Sequence, residues 1–145
     1  MKRVLFGLAA ICVVFCLLPA GRVSSQEKGN VQMETRPIRQ GDVVKFIVDL
    51  DKAANVNGGI FIKVAPDGDL TNPLEFNVGI NAGGKKAEIN GAIPLQAPIG
   101  SWKVTGLSFH GYGLVQQLQI SGNPTFHVSK HEPLVLPSSA TVRIE

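Results

Sequence analysis

The chain has few residues that could stabilise it covalently or attract a charged partner. Its 145 residues include two cysteines, Cys12 and Cys16, and both lie in one apolar segment near the N-terminus. Aromatic residues make up 6% of the chain, with one Trp and one Tyr. Small secreted domains that lack a sufficient core rely on disulfides. Because the rest of this chain has no cysteine, we expect its stability to come from an apolar core.

Long hydrophobic runs are also absent, apart from residues 4–18. This run follows Lys2 and Arg3 and precedes small and polar residues, which is the order of a secretory signal peptide. It is shorter than the roughly 20 residues that a membrane span needs. We therefore predict a leader at residues 1–25, cleaved after Ser25. Cleavage after Ala20 and a retained N-terminal anchor are the alternatives. A lipoprotein is not predicted, because neither cysteine follows a small residue.

The excess of positive charge belongs to this leader. Without residues 1–25, 11 of the 14 basic residues remain, against 11 acidic ones. A neutral domain without clustered Lys and Arg argues against a nucleic acid or an anionic membrane as the partner. The sequence predicts one secreted or periplasmic domain at residues 26–145, with no stable membrane anchor after cleavage.

Short alternating segments indicate β-strands. In residues 43–50, the apolar residues Val44, Phe46, Val48 and Leu50 alternate with polar ones, which is typical of a half-buried strand. Residues 59–65 repeat the pattern, with Ile60, Ile62 and Val64 predicted to face inward. Further strands are predicted at residues 74–80, 86–93, 101–109, 114–120 and 125–129, with weaker ones near 31–38 and 140–144.

Turn-forming residues separate these segments, and no window has the apolar spacing of a helix. Seven to nine short strands in a domain of this size predict an all-β fold, an antiparallel β-sandwich of the immunoglobulin or fibronectin type. A small barrel is the alternative.

The segment PIGSWKVTGLSF, residues 98–109, supports this prediction. Its pattern of Pro98, Gly100, Trp102 and Val104 at alternate positions resembles the penultimate strand of bacterial secreted immunoglobulin-like domains. The earlier segment GDVVKFIVD is similar to another strand of the same class. The resemblance covers most of residues 36–128 and implies an extracellular adhesion, scaffolding or accessory domain without catalysis. It implies no calcium role here, because this chain has HGYG where the family has an acidic turn.

Three residues near this segment are candidates for ligand contact: His110, Tyr112 and Trp102. Alternation puts Trp102 on one face with Val104 and Gly106, which predicts a core role for the Trp more strongly than ligand stacking. Tyr112 lies between two glycines in a turn, where its ring is either free to project or folded over the end of the sandwich. Residues 110–113 are therefore the best predicted contact surface.

Patterns for metal binding and catalysis are weak. His127 and His131 are four residues apart, a spacing that aligns ligands on a helix but not on a strand. The Asp-x-Asp pairs at residues 49–51 and 67–69 are the oxygen-rich clusters, and calcium binding there is the alternative to an ordinary turn. No motif holds a nucleophile beside a base. We predict no metal, no cofactor and no enzymatic activity.

The sequence as a whole predicts a secreted, non-catalytic β-sandwich that binds or scaffolds an extracellular or periplasmic protein, or binds a surface glycan. An inhibitor or accessory subunit of a secreted enzyme is the alternative, and a hydrolase is a more distant one.

Overall fold

The part of the chain described by the computed structural model, residues 27–122 and 124–133, is built from β-strands. Over these residues there is no helix, and so none that could span a membrane. The ten strands are β1 (Lys28–Met33), β2 (Ile38–Arg39), β3 (Val43–Leu50), β4 (Gly58–Pro66), β5 (Leu74–Ile80), β6 (Lys86–Ala92), β7 (Gly100–Gly111), β8 (Leu114–Gln117), β9 (Gln119–Ser121) and β10 (Thr125–Ser129).

The strands form two sheets, an arrangement compatible with a β-sandwich. The first sheet has the order β6-β3-β1-β9, and the second has the order β2-β10-β7-β4-β5, with β8 also paired to β7. Both sheets are mixed rather than purely antiparallel, because β1 pairs in parallel with β9 and β2 pairs in parallel with β10. These parallel pairs arise because the N-terminal segment runs along one sheet and then crosses to the other. The predicted all-β class is confirmed, and the purely antiparallel arrangement is wrong.

Two predicted strands are divided, which raises their number to ten. The segment predicted near residues 31–38 becomes β1 and β2, in different sheets, with Pro37 just before β2. The segment predicted at residues 114–120 is divided at Leu118, which is buried and whose N–H donates to the carbonyl of Leu107 at 2.9 Å. There the chain leaves the second sheet and enters the first as β9. The strand predicted near residues 140–144 lies outside the described residues.

The predicted inward faces of β3 and β4 are confirmed. Val44, Phe46 and Val48 on β3 are at most 1% exposed, and Ile60, Ile62 and Val64 on β4 are fully buried. Together with residues of β6, β7 and β10 they form one apolar cluster between the two sheets. Apolar alternation was sufficient to predict this core because each strand buries one face.

A β-bulge in β7 changes which side chains face the core. Val64 of β4 pairs with Val104, but the preceding Lys63 pairs with Gly106, so Thr105 is an extra residue. The prediction that Gly106 shares a face with Trp102 is therefore wrong: a Cβ at Gly106 would contact Lys63 on the outer face. Beyond the bulge, the inward positions shift by one residue.

Candidate functional site

Strand β7 separates the three predicted contact residues. Trp102 lies near its first residue, and Tyr112 directly follows its last. At about 3.3 Å per residue, the two positions are about 30 Å apart. The fold therefore brings His110 and Tyr112 to one end of the molecule and leaves Trp102 at the other.

Trp102 is packed into the interior. It is 2% exposed, and its indole N–H donates a hydrogen bond to the carbonyl of Pro98 at 2.9 Å. Its ring stacks on Phe126 with a centroid distance of 6.0 Å. The indole N–H thus has a hydrogen-bond partner and the ring is packed against another ring, as expected for a buried Trp. One edge of the residue also lines a shallow cavity between proline-containing loops.

Tyr112 adopts a backbone conformation that is unfavourable for its residue type. Gly111 pairs with Leu114, so Tyr112 and Gly113 form a two-residue hairpin turn with φ angles of 49° and 77°. Two positive φ angles define a type I′ turn, in which Asn-Gly is strongly preferred. Of the described residues other than glycine, Tyr112 alone has a positive φ. Such strain costs about 1–2 kcal/mol and is concentrated at functional sites.

The tip of this hairpin is apolar and exposed. Tyr112, Leu114 and Val115 are 83%, 75% and 58% exposed, and all four residues of β8 are exposed. We refer to these three side chains as the hairpin surface. Leu114 and Val115 project from opposite faces of β8, so the hairpin surface has two sides. Exposed apolar groups close together mark interaction sites on soluble proteins. Since Tyr112 is solvent-exposed, its own packing does not offset the backbone strain.

A cleft lies beside the hairpin surface. Two adjoining cavities of about 180 and 140 Å³ share Asn55, Phe109 and Gln116, and we refer to them together as the Phe109 cleft. The Phe109 ring occupies space that side chains at Gly58 and Gly111 would fill. A Cβ at these positions would lie 2.6 Å and 2.9 Å, respectively, from atoms of the ring. The loop between β3 and β4 forms one wall of the cleft, and the hairpin forms the other.

The two halves of the Phe109 cleft differ in chemistry. The larger cavity is also lined by Glu27 and Lys52, which form an ion pair at 3.8 Å. The smaller cavity is also lined by Val56, Tyr112 and Leu114. The cleft therefore has a charged end and an apolar end, and the apolar end is continuous with the hairpin surface.

His110 lies on the outer face of the second sheet, in a cluster that sequence analysis did not predict. Its ring stacks on Phe61 at a centroid distance of 3.9 Å, and its Nε2 is 2.9 Å from the hydroxyl of Ser108. Ser108 and His110 share a face because they are two residues apart on a strand. Alternation counted from Trp102 assigns Ser108 and His110 to the wrong face, because the bulge at Thr105 shifts the pattern by one residue.

This Ser–His pair does not have the arrangement of a catalytic nucleophile. Ser108 is only 6% exposed, and no carboxylate of the described residues is hydrogen-bonded to His110. An activated serine needs access to its substrate and a base oriented by a third group. The hydrogen bond instead fixes the ring of His110 over Phe61.

The aspartates of the Asp-x-Asp pair at residues 67–69 accept hydrogen bonds from other groups of the protein. Asp67 accepts a hydrogen bond from Lys103 at 2.8 Å, and this bond, together with the lysine charge, lowers the pKa of Asp67. Asp69 accepts hydrogen bonds from the hydroxyl and the N–H of Thr71, which lower its pKa. Over the described part of the chain, no three His, Cys, Asp or Glu side chains are placed to hold a metal ion.

One sequence signal could have indicated β8. Between Lys103 and Lys130 the chain has no Asp, Glu, Lys or Arg, although these residues make up 17% of its composition. The hairpin and β8 lie in the middle of this uncharged segment. An exposed surface without charge is unusual and indicates an interface.

Comparison with known proteins adds no family to this description. No protein-family model matches the chain, and no curated protein is significantly similar to it. The function must therefore be inferred from the hairpin surface and the Phe109 cleft.

Proposed function

We propose that the chain is a non-catalytic β-sandwich module that binds a protein partner through its hairpin surface. The observation that carries this proposal is Tyr112, an aromatic residue that is strained, exposed and flanked by exposed Leu114 and Val115. An Asn at this position would fit the turn better, so the fold alone does not explain the Tyr. Tyr is enriched at protein interfaces, where it combines a large apolar ring with a polar hydroxyl.

We infer a more specific fold, an immunoglobulin-type sandwich, from the strand order. In the first sheet the neighbouring strands β1, β3 and β6 correspond to strands A, B and E of the immunoglobulin fold. In the second sheet the neighbouring strands β4, β7 and β10 correspond to strands C, F and G. The hairpin then lies in the F–G connection, and the loop of residues 51–57 is the B–C connection. In variable domains these two connections carry recognition loops, and this analogy of fold favours binding at the same end.

We also propose that the protein is secreted or periplasmic. The basic, apolar and small-residue order of residues 1–25 supports this location. N-terminal sequencing of the protein recovered outside the inner membrane is expected to begin at Gln26. Recovery of the full-length chain in the membrane fraction would contradict cleavage.

Differential capture tests the binding proposal. The wild-type protein, Tyr112→Asn and Leu70→Asn are immobilised separately and exposed to the extracellular and periplasmic fractions of the native cells. Leu70 is a matched control because it is 58% exposed and lies in the loop between β4 and β5, away from the hairpin. We expect at least one protein to be captured by the wild type and Leu70→Asn but not by Tyr112→Asn, as quantified by mass spectrometry.

Identical captured proteins for all three baits would contradict the proposal. If the protein lost with Tyr112→Asn is an enzyme, a measurement of its activity with and without this chain tests the alternative of an inhibitor or accessory subunit.

A surface glycan is the second candidate ligand. The amide side chains of Asn55 and Gln116 line the cleft beside the aromatic ring of Tyr112, a combination of hydrogen-bonding groups and stacking surface that suits a sugar. A glycan array is expected to give a signal that Tyr112→Ala removes while the fold is retained. An array without any signal would leave the protein partner as the supported function.

A further inference from the structure

Strand β8 has an exposed backbone edge at Val115. The residues that flank a two-residue turn exchange hydrogen bonds, so Gly111 and Leu114 are bonded across the hairpin. Alternation then makes the next pair, His110 and Val115, a non-hydrogen-bonded pair. The N–H and C=O of Val115 therefore point away from β7. Among the described strands, none pairs with β8 on that side.

Two edge strands of the described fold, β8 and β9, carry no charged residue, and of these two only β8 has exposed apolar side chains. Strand β2 carries Arg39, β5 carries Glu75, and β6 carries Lys86 and Glu88, all of them exposed. Charged residues at edges prevent sheets from pairing with other chains. β8 has exposed Leu114 and Val115 instead of such protection, which indicates that its edge is covered by another molecule.

We propose that two copies of the chain pair antiparallel through β8 and form a dimer with a sheet continuous across both molecules. This inference rests on the proposed function, because it names the occupant of the hairpin surface. Symmetric pairing sets a strand against its own copy, so any charge near the twofold axis would face a like charge. The uncharged segment between Lys103 and Lys130 avoids this repulsion, and a neutral strand is therefore complementary to itself.

The register of this dimer follows from the outward-pointing groups of Val115. Val115 and the partner's Val115 exchange two hydrogen bonds across the twofold axis, and their side chains lie side by side on one face. The same register sets Tyr112 opposite the partner's Leu118. In this chain Leu118 lines the larger cavity of the Phe109 cleft, so each Tyr112 ring lies at the cleft of the other copy. Pairing thus sets each exposed Val115 beside its own copy and each exposed Tyr112 beside the partner's Leu118.

Sedimentation velocity over a dilution series tests the proposal. Val115→Pro removes the outward N–H without adding charge, and proline is tolerated at such edge positions. Val115→Lys adds a like charge beside the twofold axis. Val43→Lys is the matched control, because Val43 is also an exposed strand residue but belongs to β3, between β6 and β1. Circular dichroism and thermal unfolding establish that each variant is folded.

We expect a concentration-dependent dimer whose dissociation constant rises about tenfold or more in both Val115 variants. Val115→Pro loses about two hydrogen bonds across the axis, and Val115→Lys sets two like charges opposite each other. Val43→Lys is expected to leave the constant within about twofold, well below the tenfold step that corresponds to 1.4 kcal/mol. A monomer at every concentration, or a dimer that neither Val115 variant weakens, would overturn the inference. If a monomeric chain still captures a protein in a Tyr112-dependent manner, the proposed function stands and only the second copy is excluded.

Discussion

The two ends of strand β7 each carry an aromatic residue, but only one of these residues is packed. Trp102 at the first end is 2% exposed, whereas Tyr112 beyond the last residue is 83% exposed. The Trp lies in a row of rings, since it stacks on Phe126, and Phe126 in turn packs edge-on against Phe46. Tyr112 is in none of the ring pairs of the described residues. The role of each aromatic residue thus follows from its neighbours rather than from its type.

The same comparison explains how a strained residue is tolerated. Strand β7 is paired with β4 along nearly its whole length, and with β10 and β8 on its other side. Backbone strain persists where the surrounding structure over-determines the conformation. The hairpin at Tyr112 is an extension of this well-paired strand, so the cost at its tip is small relative to the stability of the sheet.

The largest expected difference between the two ends concerns unfolding. Trp102→Ala should lower the free energy of unfolding by about 3–5 kcal/mol, because it removes a buried ring and leaves a cavity. Tyr112→Ala should change it by less than about 1 kcal/mol, since an exposed side chain is lost. Urea denaturation monitored by far-UV circular dichroism measures both values. Equal losses for the two variants would contradict the assignment of core and surface.

A substitution at Gly58, beneath the Phe109 cleft, tests whether the residues under the cleft are tightly packed. A Cβ at Gly58 would clash with the carbonyl oxygen of His110, a backbone atom that cannot easily move. Gly58→Ala should therefore lower the free energy of unfolding by about 1–3 kcal/mol through overpacking.

Gly79→Ala is the control for this substitution. Gly79 lies on the neighbouring strand β5, where the closest atom to an added Cβ is at 3.9 Å. Removing a strand glycine without a clash should leave stability unchanged or raise it by about 0.5–1 kcal/mol. A Gly58→Ala variant as stable as Gly79→Ala would indicate that the base of the cleft is loosely packed.

Much of the fold could be predicted from the sequence because each core strand buries one face. The alternation in residues 43–50 and 59–65 gave both the strands and their inward residues correctly. The bulge at Thr105 could not be predicted, because an extra residue is defined by its pairing with β4 and leaves no local signal. For the same reason the prediction for Gly106 was wrong, while the prediction for Trp102, before the bulge, gave the observed inward face.

The candidate site was predictable only in part. The two glycines around Tyr112 indicated a turn, which the hairpin has, but they left open whether the ring projects or folds over the end of the sandwich; the ring is exposed. Phe109 and Asn55 are 54 residues apart in the chain, and only the approach of the loop between β3 and β4 to strand β7 brings them into one cleft. The pair formed by Ser108 and His110 depends on the outer face of β7 beyond the bulge. Contacts of this kind are properties of the topology and cannot be derived from local patterns.

Relief of backbone strain at Tyr112 should raise the free energy of unfolding, whereas the core substitutions above lower it by more. Tyr112→Asn should raise the free energy of unfolding by about 1 kcal/mol, because Asn adopts the left-handed conformation more readily in a type I′ turn. The neighbouring Gly113→Ala should lower it by about 1 kcal/mol, since φ is also positive there. Thermal unfolding measures both changes. A variant that gains stability and loses binding would link the strain to function, whereas a loss of stability in Tyr112→Asn would contradict the strain assignment.

The smallest expected effect lies at the Trp102 end and depends on pH. Lys103 follows Trp102 and lowers the pKa of Asp67 below its ordinary value of 3.8, through a hydrogen bond first and its charge second. A carboxylate with a lowered pKa in the folded state contributes stability above the unfolded pKa, and this contribution is lost as pH falls through the folded pKa. Asp67→Asn should therefore flatten the decline in unfolding midpoint between about pH 5 and about pH 2.

Salt separates this contribution from that of Asp69. The pKa of Asp69 is lowered by hydrogen bonds from Thr71, which is neutral, so added salt should leave the effect of Asp69→Asn nearly unchanged. The effect of Asp67→Asn should shrink in about 1 M salt, where screening acts over about 3 Å. Midpoints measured at low and high salt for the two variants test this difference. Equal salt dependence would mean that the charge of Lys103 does not contribute, and that the turn beside Trp102 is held by hydrogen bonds alone.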